Sequence, residues 1–331
     1  MKDFGGRIAV VTGGGTGMGR ELVRQLVAEG CHVAMCDIAE KTMAETIALS
    51  RADGVPQGVR ITAHLADVSD EDQLRRFRDQ VKRDHATEVV HLLFNNAGIG
   101  GAGSMIADAR EAWERTFNIC WGGVYLGVRT FLPMMLGADA GHIVNTSSIN
   151  GAWASVGPWT PNTSYSAAKF AVRGFTEALI ADLRLNAPHL KCSVVMPGHI
   201  GTEIVRNSPA ILTGRTDGSM SAEALAQARN RLAASGVEVA GLSDAQIEGL
   251  MAERMRRFAD EAPMTAAEAA RVILAGVKAD RWRILVGQDA ERIDELLRER
   301  PEEAYEVSFY EQIVADTGWK LGDVRMAAAK K

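Results

Sequence analysis

Seven short runs rich in β-branched and aliphatic residues recur along the 331-residue chain: RIAVVT, CHVAMCD, RITAHLAD, VVHLLFNNAG, GHIVNTSS, KCSVVMPG and RWRILVG. Segments of helical period lie between them, and alternation of this kind marks repeated βαβ units around a buried parallel sheet. The expected fold class is therefore α/β, a doubly wound parallel sheet of about seven strands with helices on both faces. Helix starts are legible at Ser69 with Asp72, Ser243 with Gln246 and Thr265 with Glu268, each a potential capping box.

Two segments stand outside the alternation. Residues 203–262 read as an insertion, and residues 288–331 as a C-terminal extension of a single body spanning 1–287. The insertion carries two amphipathic stretches punctuated by Gly214, Gly218, Gly236 and Gly241, which would serve as flexible joints. Aromatic residues Tyr305, Phe309, Tyr310 and Trp319 mark the extension, and either a neighbouring subunit or the chain's own body could receive them.

With 47% hydrophobic and 24% charged residues the chain can bury a large core. A net charge of -5 argues against a nucleic-acid partner. No long apolar run with a small-residue cleavage site begins the chain, and no stretch reads as a spanning helix, so a soluble cytoplasmic protein is expected. Cys31, Cys36, Cys120 and Cys192 lack metal-ligand spacing and read as buried reduced thiols; no metal is implied.

Directly after the first strand comes TGGGTGMGR, with Gly13, Gly15, Thr16, Gly17, Met18 and Gly19. Glycines between a strand and a helix permit a tight turn and bring backbone amides against a pyrophosphate, which the positive helix N-terminus then holds. The arrangement points to a Rossmann-type dinucleotide site. Asp37, eighteen positions past Gly19 and followed by Ile38, ends the second strand. A carboxylate there accepts bonds from ribose hydroxyls and repels a 2′-phosphate, which favours NAD over NADP; the other reading of Asp37 is a helix N-cap. Asp67, followed by Val68, could reach the adenine edge or cap the next helix, and NNAG (Asn95, Ala97 and Gly98) would place amides along the cofactor or merely end a strand.

In NTSYSAAKFAV, Tyr165 and Lys169 form an i, i+4 pair and share one helix face. With this pair added to the glycine turn and NNAG, the chain resembles the short-chain dehydrogenase/reductase family over most of residues 6–287. The resemblance implies a catalytic set of Ser148 (with Ser147 beside it), Tyr165, Lys169 and Asn118, the last holding a water that links the lysine to solvent. It also implies that Tyr165 and Lys169 contact the cofactor, and that PGHIGT supplies Pro197, Gly198, Ile200 and Thr202 near the nicotinamide. A homodimer or homotetramer built through two long helices is implied as well.

Removing the hydroxyl proton of an alcohol as hydride leaves its carbon requires a base at that oxygen. A free tyrosine at about 10 is a poor base, and Lys169 together with the oxidised nicotinamide is expected to lower it. Ser148 and Tyr165 are seventeen positions apart, more than the family usually has, and the surplus AWASVGPWTPNT reads as a rim loop. Trp153 and Trp159 in that loop, with the insertion, would enlarge the walls of one cleft, which favours a bulky hydrophobic secondary alcohol or ketone. Leu250, Met251, Met255 and Phe258 either line that pocket or pack the insertion onto the body, and His199 reads as a surface histidine. An NADPH-dependent ketone reductase and a non-catalytic cofactor-binding sensor are the alternative readings.

Overall fold

The computed structural model describes residues 1–101, 103–214, 220–234, 237–319 and 321. Each of the seven runs is a strand of one parallel sheet: β1 (Ile8–Thr12), β2 (His32–Asp37), β3 (Ile61–Leu65), β4 (Leu92–Asn95), β5 (Gly141–Thr146), β6 (Leu190–Pro197) and, last in the chain, β9 (Arg283–Val286). The order across the sheet is β3-β2-β1-β4-β5-β6-β9, with a reversal of winding beside β1. Two two-residue strands, β7 (Ile200–Gly201) and β8 (Met264–Thr265), pair separately.

Strand period decides which core each side chain joins. In β1, Val10 points into the layer formed with Phe77, Phe131 and Ile143, while Ala9 and Val11 join Leu22, Leu26 and Ile273 on the other face. The covering helices are α1 (Gly17–Ala28), α2 (Glu40–Asp53), α3 (Glu71–His85), α4 (Arg110–Phe117), α5 (Gly123–Leu136) and α6 (Thr163–Asn186). A π-helical turn over Asn118–Gly122 joins α4 to α5. Contrary to the sequence expectation, the segment Arg110–Leu136 is long and apolar enough, by length and composition, to cross a membrane; 56% of its most apolar window is buried against the rest of the protein.

The insertion forms α7 (Ile204–Thr213), α8 (Ala222–Ala234) and α9 (Asp244–Asp260). Ala228, Leu232 and Ile247 give it a small core of its own, which Met251 joins, whereas Leu250 is exposed. Gly214 closes α7 in the left-handed region at φ 70° and Gly241 turns at φ 86°; Gly218 and Gly236 lie outside the described residues. The capping boxes at Ser243 and Thr265, the latter opening α10 (Ala266–Lys278), are both formed. The one at Ser69 is not: Asp70 caps α3 by accepting the Gln73 amide, because Ser69 is already bonded to Asp67.

The extension packs on its own chain. Its helices α11 (Gln288–Glu299) and α12 (Val307–Thr317) form a third core in which Ile293, Phe309 and Trp319 surround Ile149 and Trp153. Trp153 is thus 1% exposed and serves as core, not as a wall of a ligand cleft, whereas Trp159 is exposed.

Candidate active site

The glycine turn crosses the C-terminal edge of β1 and opens α1. Gly13 and Gly17 adopt φ of 68° and 53°, which a side chain would strain, and a Cβ on Gly13 would sit 2.9 Å from Ala97 Cα. A Cβ on Gly19 would collide with the Gly13 carbonyl oxygen, so this glycine lets α1 approach the turn. The N-cap Thr16 makes no side-chain capping bond and no acidic residue stands in the first turn of α1, which leaves its amides and positive end available to a phosphate anion.

One cleft runs along this edge. Gly13, Thr16, Gly17 and Met18 line it at the turn, Asp37, Ile38, Asp67 and Val68 at one end, and Ala97, Gly98 and Thr202 further along. The Asp37 carboxylate accepts the amides of Gly15 (2.9 Å) and Ile38 (2.8 Å), so it braces the turn and does not cap α2, whose N-cap is Ala39. Burial pushes Asp37 up from the usual carboxylate range, and these amides with Arg20 oppose the rise. Asp67 accepts the Ser69 amide and hydroxyl and pairs with Arg115; despite burial, these partners hold it below the usual range.

Asn95 departs from its expected place. Its side chain turns inward, where Nδ2 donates to Asn145 Oδ1 at 2.8 Å, and Asn145 in turn donates to Thr176 at 3.0 Å. Strand period explains this: the neighbouring Asn96 faces the cleft instead, its Nδ2 donating to the Thr12 carbonyl. The sequence reading also missed Arg115, and it missed the reach of α7, from which Ile204, Asn207, Ser208 and Ile211 lean over the cleft. Ser208 Oγ accepts the Gly100 amide at 2.8 Å and thereby ties α7 to the loop after β4.

Ser148, Tyr165 and Lys169 converge at the same edge. Ser148 caps the short turn after β5, and α6 brings Tyr165 beside it, where the serine hydroxyl favours the phenolate form. Lys169, one turn on, donates Nζ to the Thr146 carbonyl at 2.8 Å and lies 5.4 Å from the centroid of the Tyr165 ring. Ser147 faces away and donates to the Lys169 carbonyl at 2.7 Å, so Ser148 is the serine at the site. Burial raises the Tyr165 phenol and so does the Cys120 thiol; the Ser148 hydroxyl lowers it. Burial also depresses Lys169 from the ordinary lysine range.

Asn118 is not part of this group. It is exposed at the start of the π-helical turn, while Cys120, fully buried two residues later, places Sγ 3.3 Å from the Ile99 carbonyl. A Cβ on Gly98 would come within 3.6 Å of both Cys120 Sγ and Lys169 Nζ, so the thiol occupies the place expected for the asparagine. Residues two apart on a helix project to roughly opposite faces. A signal was present in the sequence: Gly123 and Gly127 face Val68 and Asn95, and Cys120 shares their stripe at i, i+3 and i+7, whereas Asn118 does not.

Downstream of β6, Gly198 has no room for a side chain against the Asp289 carboxylate, Ile200 is buried, and Pro197 accepts from Ser148 at 3.5 Å. His199 is buried, contrary to the surface reading; its amide donates to Asp289, its ring nitrogen meets the Phe258 carbonyl at 2.7 Å, and its ring packs on Phe258. All four cysteines are free and buried, and no group of His, Cys, Asp or Glu among the described residues could hold a metal.

The short chain dehydrogenase family model matches residues 7–211. An oxidoreductase named SadH from Mycobacterium tuberculosis is 31% identical over 299 residues, which cover 90% of this chain and 92% of that one. A 3-alpha-(or 20-beta)-hydroxysteroid dehydrogenase of Mycobacterium bovis is 34% identical over 205 residues, 60% of this chain and 70% of its own. Among solved structures, a short-chain dehydrogenase/reductase from Burkholderia phymatum in complex with NAD superposes with a TM-score of 0.71 at 29% identity, covering 91% of this chain and 96% of that one. The glycine turn, the cleft and the Ser148, Tyr165 and Lys169 group thus stand in a protein that belongs to the short-chain dehydrogenase/reductase family, a nicotinamide-dinucleotide oxidoreductase acting on CH–OH groups.

Proposed function

We propose that this chain transfers hydride reversibly between NAD and a bulky hydrophobic secondary alcohol or its ketone, with Tyr165 as acid/base, Ser148 as hydrogen-bond donor to the reacting oxygen and Lys169 as the charge behind the phenol. The observation that carries this reading is the convergence of Ser148 and Tyr165, with Lys169 one helical turn behind, at the edge where the dinucleotide cleft runs. In oxidation, the alcohol proton passes to the Tyr165 oxygen as the carbon loses hydride; in reduction, Tyr165 returns a proton to the carbonyl oxygen. When bound, the nicotinamide supplies the hydride acceptor or donor. Ser148 shares the charge that develops on the oxygen. In this reading Lys169 also meets the nicotinamide ribose.

Preference for NAD rests on Asp37 and on the occupation of nearby cations. Arg20 is turned onto the Gly15 carbonyl (2.9 Å) and pairs with Glu45, and the residue before Gly17 is the uncharged Thr16. A 2′-phosphate would meet a carboxylate without a free partner.

Substrate size rests on the rim. Met105 and Ile106 are 75% and 99% exposed on the loop after β4, and Trp159 is 59% exposed on the loop before α6. These loops touch: Thr163 donates its amide to the Gly103 carbonyl at 3.0 Å, and Gln227 of α8 reaches the Ala107 carbonyl. Apolar side chains on loops that meet a lid helix suit a ligand that buries most of its surface. The hydroxysteroid dehydrogenase relative is in keeping with this size.

The decisive experiment is NADH formation by purified protein over a panel running from isopropanol to cyclohexanol, 1-phenylethanol and a hydroxysteroid, with NAD and with NADP. The cyclic and aryl members should exceed isopropanol by orders of magnitude in kcat/KM. Best activity on isopropanol would overturn the size reading, and equal use of NADP would favour the ketone-reductase alternative. Exposed Tyr125, Leu136, Phe170 and Leu185 on α5 and α6 support a homodimer or homotetramer through these helices in a cytoplasmic protein. Light scattering at micromolar concentration checks the mass, and fractionation checks the location.

A further inference from the structure

The turn after Ser148 is tied into a part of the chain that the catalytic reading leaves unused. Asn150, 5% exposed, donates its backbone amide to Ser148 Oγ at 3.1 Å. Its side-chain Nδ2 donates to the Trp153 carbonyl at 2.9 Å and the Ser155 carbonyl at 2.7 Å. Trp153 donates its indole N–H to the Ala304 carbonyl at 2.7 Å, and its ring packs against Phe309 and Trp319 at 6.1 and 6.4 Å between centroids. Trp319 donates its own indole N–H to the Val156 carbonyl at 3.2 Å. The loop 152–157 is therefore pinned from inside by Asn150 and from outside by the C-terminal extension.

The hydroxyl of a serine has one proton and two acceptor positions. The Asn150 amide occupies one acceptor position of Ser148, so the proton cannot point that way. The acceptor it meets in the protein is the Pro197 carbonyl, which at 3.5 Å is at the limit of a hydrogen bond. A proton so weakly held on the Pro197 side is free to turn to a substrate oxygen.

We propose that Asn150 is a positioning residue for Ser148: its side chain fixes the turn from which its own amide engages Ser148 Oγ, and the C-terminal extension, through Trp153, holds that turn in place. Asn150 acts only through Ser148, so the proposal rests on the role given to Ser148 above.

A double-mutant cycle tests it, using NAD and the panel alcohol of highest kcat/KM. Asn150→Ala should lower kcat about tenfold and leave KM for NAD within about twofold, whereas in a Ser148→Ala background the same change should cost less than about twofold. Parent kcat in Asn150→Ala, or an equal cost with and without Ser148, would overturn the positioning role. Parent turnover in Ser148→Ala would instead overturn the role of Ser148, and the positioning route with it. Should Asn150→Ala not fold, Trp153→Phe removes the bond to Ala304 while keeping an aromatic ring. It should lower kcat about threefold and be silent in the Ser148→Ala background; a cost that persists there would overturn the proposal.

Discussion

Lys169 Nζ sits 5.4 Å from the centroid of the Tyr165 ring and is bonded to the Thr146 carbonyl, so the charge stands behind the phenol without touching its oxygen. Burial meanwhile raises that phenol. Tyr165 therefore holds its proton at neutral pH in the protein alone, ready for carbonyl reduction, and alcohol oxidation must draw further stabilisation of the phenolate from the cofactor's positive charge.

Tyr165→Phe removes the ionisable oxygen and little else. NADH binding, followed by fluorescence, should change less than about threefold, while kcat falls by about 10²- to 10⁴-fold. In the parent, the oxidation rate should rise with pH, because the base must lose its proton; a rate already level below pH ~6 would contradict the assignment.

At Asp37 one carboxylate braces the Gly15 amide and lines the end of the cleft that the proposal gives to the ribose. Asp37→Ala should therefore weaken NAD use and relieve the repulsion of NADP, narrowing the kcat/KM ratio by about tenfold or more. An unchanged ratio would remove Asp37 as the discriminator.

The sheet was legible in the sequence, since most of its strands are short apolar runs whose alternate residues enter two cores, the edge strand β3 with its exposed Leu65 being the exception. The glycine turn was legible because its backbone demands can be met by few residues. What escaped was orientation along helices and strand ends. Asn95 and Asn96 differ by one residue and face opposite layers; Asn118 and Cys120 differ by two and do likewise. Trp153 in a polar, proline-containing loop gave no local sign of its partner, because that partner is the carbonyl of Ala304, far along the chain.

Asn118→Ala follows from the same geometry. An exposed side chain should be dispensable, so kcat and KM should stay within about twofold and Tm should hardly move. A loss of more than about tenfold in kcat would restore Asn118 to the site and require α4 to be rotated in the working enzyme.

Acid should destabilise the fold through its buried histidines. His142, 1% exposed on β5, bonds to the Ser193 hydroxyl, and burial pushes it down to about 4 from the ordinary 6.5; His85 is likewise pushed down to about 4 by burial. In the unfolded chain both take up a proton as pH falls through about 6.5, whereas the folded chain resists until about 4. The unfolded state thus binds more protons across that window, and stability falls as pH falls through it. For His142 the full loss is on the order of 3 kcal/mol. Half-buried Asp37 and buried Asp289, both raised by desolvation, act in the opposite sense and moderate the slope. Urea midpoints measured from pH 7 to pH 4 should decline, and His142→Gln, which cannot take up a proton, should flatten the decline whatever it does to the midpoint at pH 7. An equally steep decline in His142→Gln would show that this histidine is not the group responsible.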